Sequence, residues 1–198
     1  MTTALLVVDL QNAFCRPEGS FVRRGFAIAD LDRVIGACLR LVAHAEGAGW
    51  PVVYTRLAYQ PDYRDAGLLV ANHPAIRELG GYAEGSFDAA LLDVFRPEAP
   101  AALVVRKTRY DPFCGTDLEA ELRARHVDEL VVCGVTTNVC VESTVRRAHD
   151  LDFPVRIVED AMSSYDPALH RASVETMARH FARRVTCADV VGRASAAA

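Results

Sequence analysis

The stretch "ELVVCGVTTNVCVESTVRRA", residues 129–148, decides the fold. Its first seven residues, 129–135, form a nearly unbroken apolar run, and the chain then breaks at two threonines and an asparagine. Val141, Val145 and Ala148 follow at helical spacing. A strand covered on both faces reads as a continuous apolar run rather than an alternation, and a helix directly behind it makes a strand–helix unit of a parallel sheet.

The same unit recurs on either side. Further apolar runs are "ALLVVDL" (4–10), "PVVYTRL" (51–57), "AALVVRK" (101–107) and "PVRIVED" (154–160), and "RRVTCADVV" (183–191) contains a last one. Between them, Leu31, Val34, Ile35, Cys38, Leu41 and Val42 mark one face of a helix that Gly49 is placed to stop. Residues 116–126 open with a capping-box pattern, Thr116 and Glu119, and Asp166-Pro167 begins a last helix as cap and first-turn residue. Residues 58–100 are irregular, with a short helix expected near 88–94. The expected fold is a single doubly wound, Rossmann-like α/β domain over residues 1–192: a six-stranded parallel sheet with helices on both faces. Residues 193–198 are expected to be a frayed tail.

Composition narrows the function. With 22 basic and 26 acidic residues the chain carries a formal charge of −4 and no basic run, which disfavours nucleic acid and anionic membranes as partners. No apolar run reaches the length of a membrane span, and "MTTALLVVDL" reads as a buried strand rather than a signal peptide, so a cytoplasmic protein is expected. The six cysteines (15, 38, 114, 133, 140 and 187) contain no C-x-x-C pair, and a chain of 198 residues does not need disulfide staples. Lys107 is the single lysine among 22 basic residues.

Ligands of open parallel sheets bind beyond the carboxyl ends of the strands. The first strand ends at Asp9, the third at Lys107, and the fourth turns through "GVTTNVC" to Cys140. If these ends converge, a carboxylate, an ammonium and a thiol meet. Asp9 interrupts an apolar run, so its charge needs a partner, and Lys107 is the natural one. Cys140 falls in the first helical turn, about three residues after a cap expected at Thr137, where ammonium and helix dipole favour a thiolate. Cys38, Cys133 and Cys187 fit helix or strand patterns as small buried hydrophobes, and Cys15 and Cys114 lie in loops. A free carboxylate is a weak base for a thiol in water. Inside such a triad, however, passing the proton from thiol to carboxylate leaves the net charge unchanged, and the pair titrates as a unit.

The segments "ALLVVDLQNAF" (4–14), "VVRKTRYDPFCGTDLEAELRARHVDELVVCGVTTNVCVEST" (104–144) and "VRIVEDAMSS" (155–164) resemble the isochorismatase-like cysteine hydrolase superfamily. Its members include nicotinamidases, N-carbamoylsarcosine amidases and ureidoacrylate amidohydrolases. The resemblance implies the isochorismatase-like hydrolase fold and a catalytic triad of Asp9, Lys107 and Cys140. It also implies a cis Val135–Thr136 peptide and an oxyanion hole built from the N–H groups of Thr136 and Cys140. Members that cleave the vinyl ether of isochorismate typically lack this cysteine, so an amidase acting on a small linear amide or ureido compound is expected. Vinyl ether hydrolysis and a nicotinamidase-like activity are the alternatives. The metal site of nicotinamidases, one acid and two histidines after the second strand, has no counterpart in "YTRLAYQPDYRDAG", so no cofactor or metal is expected. Arg56 could fork a substrate carboxylate, or be a structural arginine paired with an acid such as Asp62. Phe14, Tyr59, Tyr110 and Phe113 are candidate pocket walls. The resemblance further implies a homodimer or homotetramer, with residues 58–100 available to help close the pocket.

Overall fold

The computed structural model describes residues 2–95, 97 and 102–192. Six strands, β1 (Thr2–Val8), β2 (Val52–Leu57), β3 (Ala102–Lys107), β4 (Val127–Val135), β5 (Val155–Ser163) and β6 (Arg183–Val185), form one sheet in the order β3-β2-β1-β4-β5-β6. Every pairing is parallel. The connecting helices include α1 (Leu31–Gly47), α2 (Leu118–Ala124), α3 (Glu142–Asp150), α4 (Pro167–His180) and α5 (Cys187–Val191). Short helical turns lie at Asn12–Cys15 and Ser20–Arg23 and, within the stretch expected to be irregular, at Leu68–Asn72 and Ala75–Glu78. Residues 193–198, expected to fray, lie outside the described residues.

Strand alternation splits the interior into two cores. Leu5 and Val7 of β1 pack with Val131 and Cys133 of β4 and with Val34, Cys38 and Leu41 of α1. Ala4, Leu6 and Val8 face the other way, into Leu122 of α2, Val145 of α3 and Met177 of α4. Both faces are therefore covered, which is why the strands contain so few polar residues. Asp166 caps α4 as its side chain accepts from the N–H groups of Ala168 (2.7 Å) and Leu169 (3.2 Å), and Gly49 leaves α1 at φ 70°.

Local expectations fail where tertiary partners take over. The capping box at residue 116 does not form: the Thr116 hydroxyl donates to the Pro112 carbonyl (2.5 Å) and accepts from the N–H of Leu118, so α2 starts two residues later. Residues 88–94 are turns rather than a helix. Their backbone is held from outside, with the carboxylate of Asp88 accepting from the N–H groups of Ser20 and Tyr82 and the Gln11 amide donating to the Ala89 carbonyl.

Strand order reverses between β1 and β4, where Val8 pairs with Gly134. Gly134 has φ 113°, and a Cβ there would lie 2.2 Å from the Val8 carbonyl oxygen. A side chain would meet both backbone strain and overpacking, each worth about 1–3 kcal/mol. Gly134→Ala should therefore lower stability by on the order of 3 kcal/mol in urea titrations. An unchanged midpoint would mean that β1 and β4 can part there without cost.

Candidate active site

The crevice at this reversal is where a doubly wound sheet holds its ligand. Immediately after β1, Asp9 turns with φ 51°, a left-handed conformation that aspartate tolerates better than most residues. Its Oδ1 accepts from the Thr55 hydroxyl at 2.7 Å, and its N–H donates to the Thr55 Oγ1 and carbonyl oxygen, both at 3.2 Å. Lys107 closes β3, which is not adjacent to β1, so its side chain reaches past β2. Its Nζ lies 2.7 Å from Asp9 Oδ2, and both side chains are 0% exposed. The ammonium also donates to the Tyr110 carbonyl at 2.9 Å. Burial alone would lower the ammonium's pKa. The Asp9 carboxylate, together with contact to Cys140, outweighs it, and the net shift is upward, so Lys107 is held as a cation.

The Val135–Thr136 peptide is cis. The helix that follows opens with a π-turn, Thr137–Val141, whose cap is Thr136 rather than Thr137, and runs on into α3. The Thr136 carbonyl accepts from the N–H groups of Val139 (3.1 Å) and Val141 (3.2 Å). The Thr137 hydroxyl shares a 2.8 Å hydrogen bond with Nδ1 of His170, and the Ser173 hydroxyl donates to the Thr137 carbonyl at 3.2 Å, so α4 props the turn from behind. Cys140 sits on this turn, close enough to Asp9 and Lys107 for each to alter its proton affinity. Burial pushes the thiol well above its ordinary value. Lys107 pulls it down and Asp9 pushes it up again. The sequence predicts that ammonium and dipole lower the thiol; in the folded protein burial outweighs them and the shift is upward.

Cys140 and Thr136 lie at one side of a cavity of ≈ 130 Å³. Phe14 and Tyr110 line it as expected from their positions, whereas the other three candidate residues do not. Tyr59 is fully buried behind the wall, its ring edge-on to Tyr82 at 6.3 Å and its hydroxyl without a hydrogen-bond partner among the described residues. Phe113 belongs to the core, stacked on Phe153. Arg56 stands in register with Arg106 of β3, and that pair of like charges needs acids between them. Both guanidinium groups grip Glu84, Arg56 in a two-pronged contact at 3.0 and 2.8 Å, while Arg106 also meets Asp65 at 2.5 Å. Arg56 is thus a structural arginine whose partner is Glu84, not Asp62, and it borders a separate cavity with Phe95 and Val104. Among the described residues, no group of three or more His, Cys, Asp or Glu side chains is arranged to hold a metal ion.

Residues 3–189 match the isochorismatase domain family. This chain belongs to the isochorismatase family. Within the family, it is 37% identical over 195 residues to the ureidoacrylate amidohydrolase RutB of Methylobacterium radiotolerans, spanning 91% of this chain and 74% of that protein. A cysteine hydrolase from Pseudomonas syringae pv. phaseolicola superposes with a TM-score of 0.89 at 29% identity, covering 99% of this chain and 93% of that one. The N-carbamoylsarcosine amidase of Thermoplasma acidophilum superposes with a TM-score of 0.72 at 26% identity, covering 94% and 97%.

Several residues of this isochorismatase-family site escaped sequence reasoning. Thr55 carried a signal, a hydroxyl inside the apolar run of β2. Gln11 is fully buried and ties Leu57 to Ala89 through its amide. Phe21, Arg24 and Phe26 enter the cavity from "SFVRRGF" (20–26), and Leu69, His73, Ile76 and Tyr82 enter from the irregular segment. These four residues of the irregular segment therefore wall the pocket of their own chain. No helix of the described residues is long and apolar enough to cross a membrane.

Proposed function

We propose that this chain is a metal-independent cysteine amidohydrolase that cleaves a C–N bond of a small ureido or linear amide compound. It is a hydrolase of non-peptide C–N bonds, and Cys140, Asp9 and Lys107 are its catalytic residues. The observation that carries this reading is a thiol over a buried carboxylate–ammonium pair at the wall of a small cavity. The 37% identity to a ureidoacrylate amidohydrolase supports a ureido substrate over an isochorismate-type vinyl ether.

Asp9 accepts the Cys140 proton as the sulfur attacks the substrate carbonyl, so no net charge is created in the buried site. The N–H groups of Thr136 and Cys140 receive the oxyanion. Asp9 then returns the proton to the departing nitrogen, leaving a thioester. A water that gives its proton to Asp9 attacks this thioester, and collapse releases the acid or carbamate while Cys140 recovers its proton. Lys107 keeps Asp9 oriented and offsets its charge throughout. The hydrolase domain spans residues 1–192 with 193–198 as its tail, and the protein works in the cytoplasm as a homodimer or homotetramer.

Ammonia release, measured in EDTA across ureidoacrylate, N-carbamoyl amino acids, biuret, nicotinamide and simple primary amides, tests the reading. Cys140-dependent release from ureidoacrylate or an N-carbamoyl amino acid is expected. Silence across the panel with turnover of isochorismate would replace it by vinyl ether hydrolysis.

A further inference from the structure

The cavity wall carries one feature that the proposed chemistry does not use. Its lining includes no aspartate or glutamate. Behind Cys140, Asp9 and Lys107 neutralise one another, so the remaining ionisable lining groups are Arg24 and His73, besides the cysteine and tyrosines. Arg24 is half-buried and has no acid partner among the described residues, whereas four other arginines at this end of the sheet are paired with acids. Arg56 and Arg106 hold Glu84, Arg16 holds Asp93 and Arg64 holds Asp62. A guanidinium cannot shed its proton, so a half-buried one without a counter-ion leaves donors to be satisfied by whatever enters.

Its setting is built rather than incidental. The Arg24 N–H donates to the Ser20 carbonyl at 3.1 Å, and Gly25 reverses the chain with φ 89°, bringing the guanidinium carbon 5.4 Å from the centre of the Phe26 ring. That ring is held by Phe21 (5.0 Å) and Tyr165 (5.1 Å), and Phe14 joins Phe21 (5.1 Å) to Tyr82 (5.3 Å). A guanidinium resting on an aromatic face keeps its N–H edge free for a planar, two-pronged acceptor.

We propose that Arg24 is the specificity-determining subsite of this cavity and receives a carboxylate at the end of the substrate opposite the scissile C–N bond. A single planar cation in ≈ 130 Å³ suits a carboxylate better than a phosphate, which would call for more compensating charge. An aromatic-rich lining favours a flat, conjugated body between the two ends. The inference rests on the amidohydrolase reading for the direction of the substrate, not for the existence of the anion site.

Binding to the Cys140→Ala protein separates the two. Titration calorimetry would use 3-ureidoacrylate and its uncharged methyl ester as matched probes. Adding Arg24→Gln should weaken ureidoacrylate by about 10- to 100-fold and the ester by less than about 3-fold, while Arg24→Lys keeps part of the difference. Equal losses for the two probes, no loss, or no binding of ureidoacrylate would overturn the proposal. With Cys140-dependent ammonia release intact, such a result removes the subsite and leaves the amidohydrolase. The reverse pattern, Arg24-dependent binding without any Cys140-dependent turnover, leaves the subsite and removes the amidohydrolase.

Discussion

Cys140→Ala is expected to abolish turnover, with a loss on the order of 10⁴- to 10⁶-fold, while the protein still folds. The size of the loss follows from the cooperation of a nucleophile with its base and oxyanion donors: once the attacking atom is gone, the others cannot act in sequence. The fold should tolerate the change because what holds this turn does not involve the sulfur. The Thr136 carbonyl is bonded to two N–H groups, the Thr144 hydroxyl donates to the Cys140 carbonyl at 2.6 Å, and Thr137 leans on His170. Asp9 and Lys107 also retain each other. Activity and thermal unfolding measured on the same preparation check both halves. A variant with near-native turnover would exclude the thiol as nucleophile, and one that fails to fold would mean that the sulfur is part of the packing.

Lys107→Met should be as damaging to stability as Cys140→Ala is to activity. Removing the ammonium strands the carboxylate of Asp9 in a site with no exposure, and breaking a buried pair in this way costs about 3–5 kcal/mol. Asp9→Asn combined with Lys107→Met removes both charges and should recover most of that loss, yet it has no base and should stay inactive. The pH dependence has a definite sign. Because Lys107's pKa is raised by folding, its stabilisation is complete below the ordinary lysine value near ~10.4 and is lost only as pH climbs through the higher folded value. The contribution of Lys107 to the native protein should thus persist to about pH 10 and shrink in stronger alkali. A single variant as stable as the native protein would mean that Asp9 does not depend on this cation.

What could be read from the sequence follows from how local each determinant is. The strands were legible because burial on two faces writes a continuous apolar run, and the ends of β1, β3 and β4 stood out because a charge or a glycine interrupts such runs. The meeting of Asp9 with Lys107 was legible as a need for charge compensation, although the intervening β2 was not. The walls were obscure for a different reason. Residues 88–94 contain enough apolar side chains for a helix, but Gln11 and Asp88 hold that segment in turns through bonds spanning up to 78 positions of sequence. Arg56 ends its strand as a ligand-reading arginine would, and only the register with Arg106 reveals that Glu84 claims it. Phe113 and Tyr59 are aromatic residues near a sheet edge, and nothing local distinguishes one that lines a cavity from one that packs behind it.

The solitary lysine has a practical side. All other cationic side chains here are arginines and histidines, and the only ε-amino group lies at the bottom of the crevice with no solvent exposure. Acylating reagents and amine cross-linkers therefore find no lysine on the outside of the native protein. Modification of Lys107 would instead register each time the sheet edge opens, making the residue a one-site reporter of local unfolding that needs no engineered label.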